Sequence, residues 1–324
     1  MTNFDEIKDS ISPELEELNK IIHTSLASNS SLLNDVVERY LLTKGKQIRP
    51  IIVILSAKFF SNVNRHVLHG AASIELLHNA SLIHDDVVDE TKKRRGYPTI
   101  NSIWDNHIAV LVGDFFVSNA LGCAISSGDI RVIDTISKLG KELSTGELDQ
   151  IDIAKRHCIT ETDYYHIIGK KTASLFRSCV QVGGYTAGAD SADIENLSRY
   201  VELLGLCFQI KDDIFDYFND ASIGKPTGND LREGKITLPL IYALGKNDSE
   251  KSAAMRKLVE KDLLTDEEIT TLIEFAKEEG GIDYAYASME RLKSDALKYI
   301  DKYPDSEAKS AFMSLFDFII KRHN

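Results

Sequence analysis

The sequence predicts an all-α protein built from long helices with short connections. Residues that favour helices dominate, and only 6 prolines and 19 glycines punctuate the 324 residues. No alternating run of convincing length predicts a strand. Residues 51–55 alone have the composition of one, but their position directly after Pro50 favours a helix. With 43% hydrophobic residues, the chain can bury a substantial core.

Helix-start signals recur along the chain. Ser12 followed by Pro13 predicts a cap and a proline at the first helical position. Thr265 with Glu268 predicts a capping box. No linker rich in Gly, Ser or Pro divides the chain, so we predict a single domain over residues 1–324. Its motif-bearing core covers about 44–240, its amphipathic helical C-terminal part covers about 246–324, and a long polar loop at 219–234 is predicted to be functional.

The net charge of −12 and the pI near 5.3 argue against nucleic acid as a partner, because phosphate backbones require a basic face. The cysteines are widely spaced and form no CxxC pair, which favours free thiols in a reducing cytoplasm. They are Cys123, Cys158, Cys179 and Cys207. The first ten residues lack the basic and apolar pattern of a signal peptide, so a cytoplasmic location is expected.

The longest apolar stretch covers residues 108–125. Polar or small residues interrupt it at Gly113, Asp114, Ser118 and Asn119. We therefore predict a helix buried on most sides within the protein and no membrane span.

A weak internal repeat is more informative. LLHNASLIHDDVVD, ending at Asp89, and LLGLCFQIKDDIFD, ending at Asp216, both place a Leu-Leu pair ahead of an aspartate triplet. The similarity is too short to prove duplication. It predicts two helices that present the same chemical group.

The two triplets both have the spacing DDxxD. The first is Asp85, Asp86 and Asp89, and the second is Asp212, Asp213 and Asp216. On a helix, the first and third aspartates lie one turn apart on one face, where like charges repel. Mg²⁺ prefers oxygen ligands and is typically held by one or two carboxylates together with substrate phosphates. Two matching triplets therefore favour a metal site over an acidic surface or a general acid–base pair.

Basic residues cluster near these motifs, as binding of a diphosphate requires. Arginine forks suit phosphate oxygens, and lysine supplies a compact charge. Each of these residues alone is more often an ordinary solvated side chain, and a lone histidine is more often a packing residue. In combination with the two triplets they indicate a site for two anionic substrates. They are Lys46, Arg49, His78, Arg94, Arg95, Lys171 with Thr172, Lys225 and Lys235.

With these motifs in this order, the chain resembles the trans-polyprenyl diphosphate synthases of the isoprenoid synthase superfamily. The resemblance runs from about residue 44 to 239 and rests on LIHDDVVDETKKRRG, FQIKDDIFDY and GKPTGNDLREGKITLP. It implies a bundle of long helices around a deep central cavity. One departure is Gln47, where the family often carries arginine.

The resemblance also implies a role for each matching residue. Asp85 and Asp89 would hold Mg²⁺ on an allylic diphosphate, Asp86 would support them, and Asp212 and Asp216 would hold a further ion. The catalytic set would be Asp85, Asp86, Asp89, Lys171, Asp212 and Asp213. Isopentenyl diphosphate would be bound by Lys46, Arg49, His78 and Arg95. The allylic diphosphate would be bound by Arg94, Lys171, Thr172, Gln209, Lys225 and Lys235.

The implied reaction joins isopentenyl diphosphate head to tail onto a farnesyl or geranyl diphosphate. Mg²⁺, about three ions per active site, would stabilise the departing diphosphate. The double bond of isopentenyl diphosphate would attack the allylic cation, in a cavity from which water is excluded. A homodimer joined through apolar helices that include residues 108–125 is expected, and the product would pass to membrane enzymes.

Product length is predicted from the helix that precedes Asp85. Ser81 lies on the same face as Asp85, about 6 Å down the helix axis. Ala80 and Leu77 lie close to that line. In the family, bulky aromatic residues at the positions of Ala80 and Ser81 give short products, so the small residues here predict a long, octaprenyl-like product for quinone side chains. Phe115 and Phe116 are candidates for the floor of the tunnel.

Three other functions compete with this prediction. A short-chain geranylgeranyl or farnesyl diphosphate synthase would differ only in product length. A class I terpene cyclase would share one triplet and the helices but would not need Lys46, Arg49 and His78 for a second diphosphate. A non-catalytic subunit of a heteromeric synthase would typically lack one triplet, whereas this chain has both.

Overall fold

Helices hold most of the residues that the computed structural model describes, which are 3–42, 45–156, 159–218, 227–261 and 263–322. The first helices are α1 (Asn3–Ser10), α2 (Ser12–Ser25), α3 (Ser31–Leu41), α4 (Ile48–Phe60), α5 (Arg65–Val88), α6 (Ile100–Ile103), α7 (Asn106–Ser126), α8 (Ile130–Lys155) and α9 (Glu161–Ile168). The π-helix Gly169–Ala173 follows, and then α10 (Ser174–Thr186), α11 (Ser191–Phe215), α12 (Asn229–Arg232), α13 (Leu238–Gly245), α14 (Glu250–Val259), α15 (Asp266–Glu278), α16 (Gly281–Ile300) and α17 (Glu307–Lys321). The predicted all-α class is confirmed.

A short antiparallel hairpin is the exception, and the sequence analysis missed it. Its strands are β1 (Lys93–Arg94) and β2 (Tyr97–Pro98). The two-residue turn between them, Arg95-Gly96, has positive φ at both positions, which matches the twist of a tight hairpin. The strands are too short for an alternating pattern to appear in the sequence.

The described residues group into two compact units. The first takes its residues from Met1–Lys141, Leu175–Val201 and Tyr299–Leu315, and the second from Glu142–Ser174, Glu202–Lys298 and Phe316–Asn324. The predicted single domain over 1–324, with its core at about 44–240, stays a prediction.

In the first unit, α5 packs against α2, α4 and α7. Most residues of helix α4 are buried. The helix contains residues 51–55, whose composition resembles that of a strand. It is a helix, as its sequence context predicted. Helix α2 contains Pro13 in its first turn, also as predicted, but Ser12 is not the cap because the preceding residue, Ile11, occupies that position.

In the second unit, α13 packs against α14 and α15 around buried apolar side chains. Helix α15 begins with the predicted capping box. Thr265 N donates to Glu268 Oε2 at 2.9 Å, and Glu268 N donates to Thr265 Oγ1 at 3.3 Å.

Helix α7 is long and apolar enough to cross a membrane by length and composition alone, which is weak grounds for a span. Only 39% of its most apolar window is buried. One face, with Ala109, Val112 and Phe116, is buried, whereas Leu111 is 66% exposed and Ile125 is 64% exposed. The prediction of a helix buried on most sides is wrong for the residues that the structure describes, because the sequence does not show which apolar face of α7 is left exposed.

Close packing of α10 against α4 generates a stability prediction. A Cβ at Gly183 would lie 2.5 Å from the carbonyl oxygen of Val53. Gly183→Ala should therefore lower the free energy of unfolding by about 1–3 kcal/mol through overpacking. Gly140 in α8 is the matched control, since a Cβ there meets no described atom within 4 Å, and Gly140→Ala should raise the free energy by ~0.5–1 kcal/mol. Urea titrations measure both, and equal effects would contradict the packing.

Candidate active site

Both aspartate triplets lie where a long helix ends. Helix α5 ends at Val88 and Asp89 is its C-cap, while α11 ends at Phe215 and Asp216 follows. Neither helix has a basic residue in its last turn. The C-terminal end of a helix carries the negative end of its dipole, so a carboxylate there is disfavoured by ~0.3–1 kcal/mol. Both ends therefore need compensating cations or hydrogen-bond donors.

In the first unit, the middle aspartate is fixed by an arginine. Asp86 is 5% exposed, its Oδ1 accepts a hydrogen bond from Arg94 Nε at 2.8 Å, and Arg94 Nη2 forms an ion pair with the same oxygen at 2.8 Å. Burial raises the pKa of Asp86, and the hydrogen bond and charge of Arg94 counteract this. Asp85 is half-buried and Asp89 is exposed. The outer carboxylates thus retain access to solvent while the middle one does not.

In the second unit, the middle aspartate is fixed by neutral donors. Asp213 is 6% exposed, its Oδ2 accepts from the Tyr164 hydroxyl at 2.6 Å, and its Oδ1 accepts from Gln209 Nε2 at 2.8 Å. Burial raises the pKa of Asp213 to about 7, against the effect of these two hydrogen bonds. Asp212 and Asp216 are half-buried. The two triplets therefore share one arrangement, in which the middle carboxylate is bound by the protein and the outer two are accessible.

This arrangement fits Mg²⁺. Among the residues that the structure describes, no group of three or more His, Cys, Asp and Glu side chains is close enough to hold an ion without other ligands. Mg²⁺ commonly takes one or two carboxylates and completes its octahedron with water and phosphate oxygens. The accessible outer pair of each triplet meets that requirement.

Asp216 also binds the backbone at the start of α12. Its carboxylate accepts from the backbone N–H groups of Asn229 and Asp230, both at 3.0 Å. Burial raises the pKa of Asp230 well above its usual range, and the charges of Asp213 and Asp216 raise it further. Asp230 is thus a fourth carboxylate beside the second triplet, which sequence reasoning missed because it lies outside the DDxxD spacing.

Cationic side chains converge in the first unit around His78. This histidine is 8% exposed, and its pKa is lowered well below the usual range, first by burial and then by the charges of Arg49, Arg95 and Arg94. The His78 ring is therefore neutral near pH 7, while the arginines carry the charge. A Cβ at Gly45 would lie 2.6 Å from Arg95 Nη2, so this glycine makes room for the guanidinium.

The first unit thus brings together Arg49, His78 and Arg95 from the set predicted to bind isopentenyl diphosphate. Lys46 is exposed just before α4, and Arg49 lies in the first turn of that helix with its Cζ 5.9 Å from the centre of the Phe176 ring. Glu75, on α5 with His78, was missed by the sequence analysis. Its Oε2 is buried and accepts no hydrogen bond among the described residues. Burial raises the pKa of Glu75, and Arg49 and Arg95 counteract this.

In the second unit, the predicted allylic residues lie at a π-helix. Irregular helical turns of this type occur often at functional sites. Lys171 Nζ donates to Gln150 Oε1 at 3.0 Å and forms an ion pair with Glu147. Thr172 Oγ1 donates to Gln209 Oε1 at 2.7 Å, so a hydrogen-bond chain runs from Thr172 to the second triplet. Glu147 and Gln150 lie on α8 and carried no motif in the sequence analysis.

Two further lysines, Lys225 and Lys235, were predicted to bind the allylic diphosphate, and the structure describes one of them. Lys235 is half-buried and its Nζ lies 2.6 Å from Glu233 Oε2. Its backbone N–H donates to the carbonyl oxygen of Asp230 at 2.7 Å. Lys225 lies outside the described residues.

The residues predicted to set product length lie on α5 and α7, which pack together in the first unit. Leu77 and Ala80 are buried, whereas Ser81 and Phe115 are half-buried. Phe116 is fully buried and meets the Tyr40 ring edge-on, with ring centres 5.5 Å apart. The Tyr40 hydroxyl donates to Asn79 Oδ1 at 3.1 Å, and sequence reasoning missed this tyrosine because it lies on α3.

A family model and a curated relative indicate the same family for this chain. The family model described as polyprenyl synthetase matches residues 30–276. The chain is 32% identical to the octaprenyl diphosphate synthase of Haemophilus influenzae, over 100% of this chain and 98% of that protein.

Solved structures of polyprenyl and geranylgeranyl pyrophosphate synthases are also similar to this chain. A polyprenyl synthase from Caulobacter crescentus, complexed with calcium and isoprenyl diphosphate, matches with a TM-score of 0.93 at 28% identity, covering 99% of this chain and 98% of that one. A geranylgeranyl pyrophosphate synthase from Bacteroides thetaiotaomicron matches with a TM-score of 0.86 at 36% identity, covering 99% of both chains.

The raised pKa of Asp213 predicts a pH dependence of stability in metal-free protein. Between the ordinary value of 3.8 and about 7, the folded state retains a proton that the unfolded chain has lost. The free energy of unfolding therefore falls as pH rises through this window. Asp213→Asn removes this loss, so its melting temperature should rise relative to the unsubstituted protein between pH 5 and pH 8, measured in EDTA.

Asp317→Asn is the control for this experiment. The hydrogen bond from Lys293 lowers the pKa of Asp317, so this carboxylate is ionised in both states above pH 5. Its effect on the melting temperature should be constant across that range. A pH-independent difference for Asp213→Asn would contradict the buried, protonated carboxyl.

Proposed function

We propose a specific reaction for this chain, which belongs to the polyprenyl synthetase family: it extends an allylic diphosphate with isopentenyl diphosphate to make a long all-trans polyprenyl diphosphate. Its identity as a polyprenyl diphosphate synthase, a prenyltransferase, follows from the family match and the named relatives. The long-chain product, the metal and the residue roles are the proposal.

One observation supports the site assignment above the others. Each compact unit carries a triplet whose middle aspartate is bound by the protein and whose outer aspartates are accessible, at a helix end without basic residues. Nothing in helix stability favours this arrangement, because like charges and the helix dipole both oppose it. Binding of cations that carry a diphosphate offsets that cost.

We assign Mg²⁺ to the outer aspartates. Asp85 and Asp89 hold it on the allylic diphosphate, and Asp212 and Asp216 hold a further ion. When bound, Mg²⁺ neutralises charge that builds up on the departing diphosphate. The solved structure of the Caulobacter crescentus relative, complexed with calcium and isoprenyl diphosphate, supports a divalent cation and a prenyl diphosphate at this fold.

The side chains of this chain supply orientation and electrostatic stabilisation. Arg49 and Arg95 bind the diphosphate of isopentenyl diphosphate through guanidinium forks, with Lys46 alongside. His78, neutral because burial and three arginines lower its pKa, donates a hydrogen bond there. Lys171 and Thr172 bind the allylic diphosphate, with Arg94, Lys225 and Lys235. Charge stabilisation by fixed groups of this kind is commonly the largest contribution to catalysis.

A long product follows from the small residues ahead of the first triplet. Ala80 is 1% exposed and Ser81 is half-buried, and the Ser81 hydroxyl donates to the carbonyl oxygen of His78 at 2.9 Å. Neither side chain obstructs an isoprenoid tail that runs along α5. Phe116, held by Tyr40, is our candidate for the residue at which the tail stops.

A short-chain synthase is the alternative, favoured by the 36% identity to a geranylgeranyl pyrophosphate synthase. Sizing of the products decides between the two. A terpene cyclase is disfavoured, because the convergence of Arg49, Arg95 and His78 supplies binding groups for a second diphosphate.

We also propose that the enzyme is a cytoplasmic homodimer that delivers its product to membrane enzymes. The exposed apolar face of α7, with Val110, Leu111, Leu121 and Ile125, supports a partner subunit there. Cys123, Cys179 and Cys207 are free and buried, which fits a reducing compartment.

Substitution of the outer aspartates tests the reaction and the metal together. Asp85→Asn or Asp212→Asn should lower kcat about 100-fold or more. The bound metal stabilises the transition state by several kcal/mol more than the bound substrate, so its loss raises the barrier of the reaction. The assay uses Mg²⁺, farnesyl diphosphate and labelled isopentenyl diphosphate. Glu90→Gln, at an exposed carboxylate next to Asp89, is the control and should retain full activity. Full activity of Asp85→Asn would refute the metal role.

Substitution of Ser81 tests product length. Ser81→Phe places a ring on the face of α5 below Asp85 and should shorten the products, measured by chromatography of the dephosphorylated alcohols. Ser81→Ala adds no bulk and should leave the product length unchanged. Products of unchanged length from Ser81→Phe would contradict the tail path, whatever the total activity.

A further inference from the structure

A buried arginine lies against the second aspartate triplet, at a position that neither motif includes. Arg322 follows α17 and its backbone N–H donates to the carbonyl oxygen of Phe318 at 2.8 Å. Its side chain is 6% exposed. An arginine is seldom buried to this degree unless it is paired.

The partners of Arg322 come from the last turns of α11. Arg322 Nη2 donates to the carbonyl oxygen of Phe208 at 3.1 Å and forms an ion pair with Asp212 Oδ1. Its Cζ lies 4.3 Å from the centre of the Phe208 ring and 5.4 Å from that of Phe215. Asp212, the other member of this ion pair, is more accessible, since its side chain is 41% exposed. Asp212 is thus held by the protein and accessible to solvent at once.

Stability alone does not account for this arginine. Its Nε is buried and has no hydrogen-bond acceptor among the residues that the structure describes. Lys211, 2% exposed, adds a second cation, with its Nζ 5.1 Å from the centre of the Phe215 ring. Buried ion pairs of this kind often contribute no more stability than apolar residues of similar volume would. A buried donor without an acceptor adds a further cost, so the position of this arginine needs an explanation other than stability.

We propose that Arg322 is a positioning residue that competes with a divalent cation for Asp212. This inference rests on the proposed function, because it requires Asp212 to be a metal ligand. A guanidinium on Asp212 orients the carboxylate and also opposes the approach of a lone dication. Negative charge from a diphosphate offsets that opposition. Arg322 thereby makes the ion at this triplet bind weakly by itself and tightly only together with the diphosphate.

The test measures metal binding without substrate. In a full-length Asp85→Asn/Asp89→Asn background, which leaves the second triplet intact, Mn²⁺ is titrated in the absence of any diphosphate and followed by electron paramagnetic resonance. Arg322→Gln should bind Mn²⁺ about tenfold more tightly than the background, which corresponds to ~1.4 kcal/mol. Arg322→Lys keeps the charge but not the guanidinium fork, so it should show a smaller gain in the same direction.

Matched variants separate the outcomes. Lys321→Ala removes a neighbouring exposed charge, 75% accessible and paired with Asp317, and should leave Mn²⁺ affinity unchanged. Addition of Asp212→Asn to Arg322→Gln should abolish the gain. Unchanged or weaker Mn²⁺ binding by both Arg322 variants, with intact melting curves, would overturn the proposal. If Asp212→Asn alone binds Mn²⁺ as tightly as the background does, the metal role of Asp212 fails, and the proposed metal assignment fails with it.

Discussion

Repulsion among carboxylates at a helix end determines how the residues around both aspartate triplets are arranged. Each triplet places three acidic groups where the helix dipole already disfavours them. In both units the protein buries and binds the middle group, whereas the outer groups stay accessible to solvent even where Arg322 pairs with Asp212. Arg94 binds Asp86, whereas Tyr164 and Gln209 bind Asp213. The charge that remains on the outer aspartates attracts cations, and the proposed chemistry uses that attraction.

The clustered cationic residues also repel one another, and they need negative charge to compensate them. Arg49, Arg94 and Arg95 lie close enough to His78 for their charges to lower its pKa. Such a cluster is costly without an anion, and Asp86 and Glu75 relieve part of the cost. The binding energy of a diphosphate can then compensate the rest, which favours a substrate with several negative oxygens over a singly charged one.

Much of the fold and part of the site could be predicted from the sequence. Helix-forming composition, the capping box at Thr265 and the Leu-Leu-to-aspartate spacing are local signals, so α5, α11 and α15 were expected. The partners of the middle aspartates were not, since Tyr164 lies far along the chain from Asp213 and only tertiary packing joins them. The positions of Arg322 and Asp230 beside the second triplet could not be predicted for the same reason. Local patterns also misled at two places: α2 begins one residue earlier than Ser12 predicted, and the sequence did not show which face of α7 is left exposed.

Anomalous diffraction distinguishes the middle aspartate of each triplet, which the protein binds, from the outer aspartates, which we propose to bind the ions. Crystals grown with Mn²⁺ and a non-hydrolysable farnesyl thiodiphosphate would locate each ion by its anomalous signal. We predict Mn²⁺ bound by oxygens of Asp85, Asp89, Asp212 and Asp216 at about 2.2 Å, close to the distances known for Mg²⁺. Asp86 and Asp213 should keep their bonds to Arg94 and Tyr164. Ions bound instead by Asp86 or Asp213, with the outer aspartates in solvent, would contradict the account.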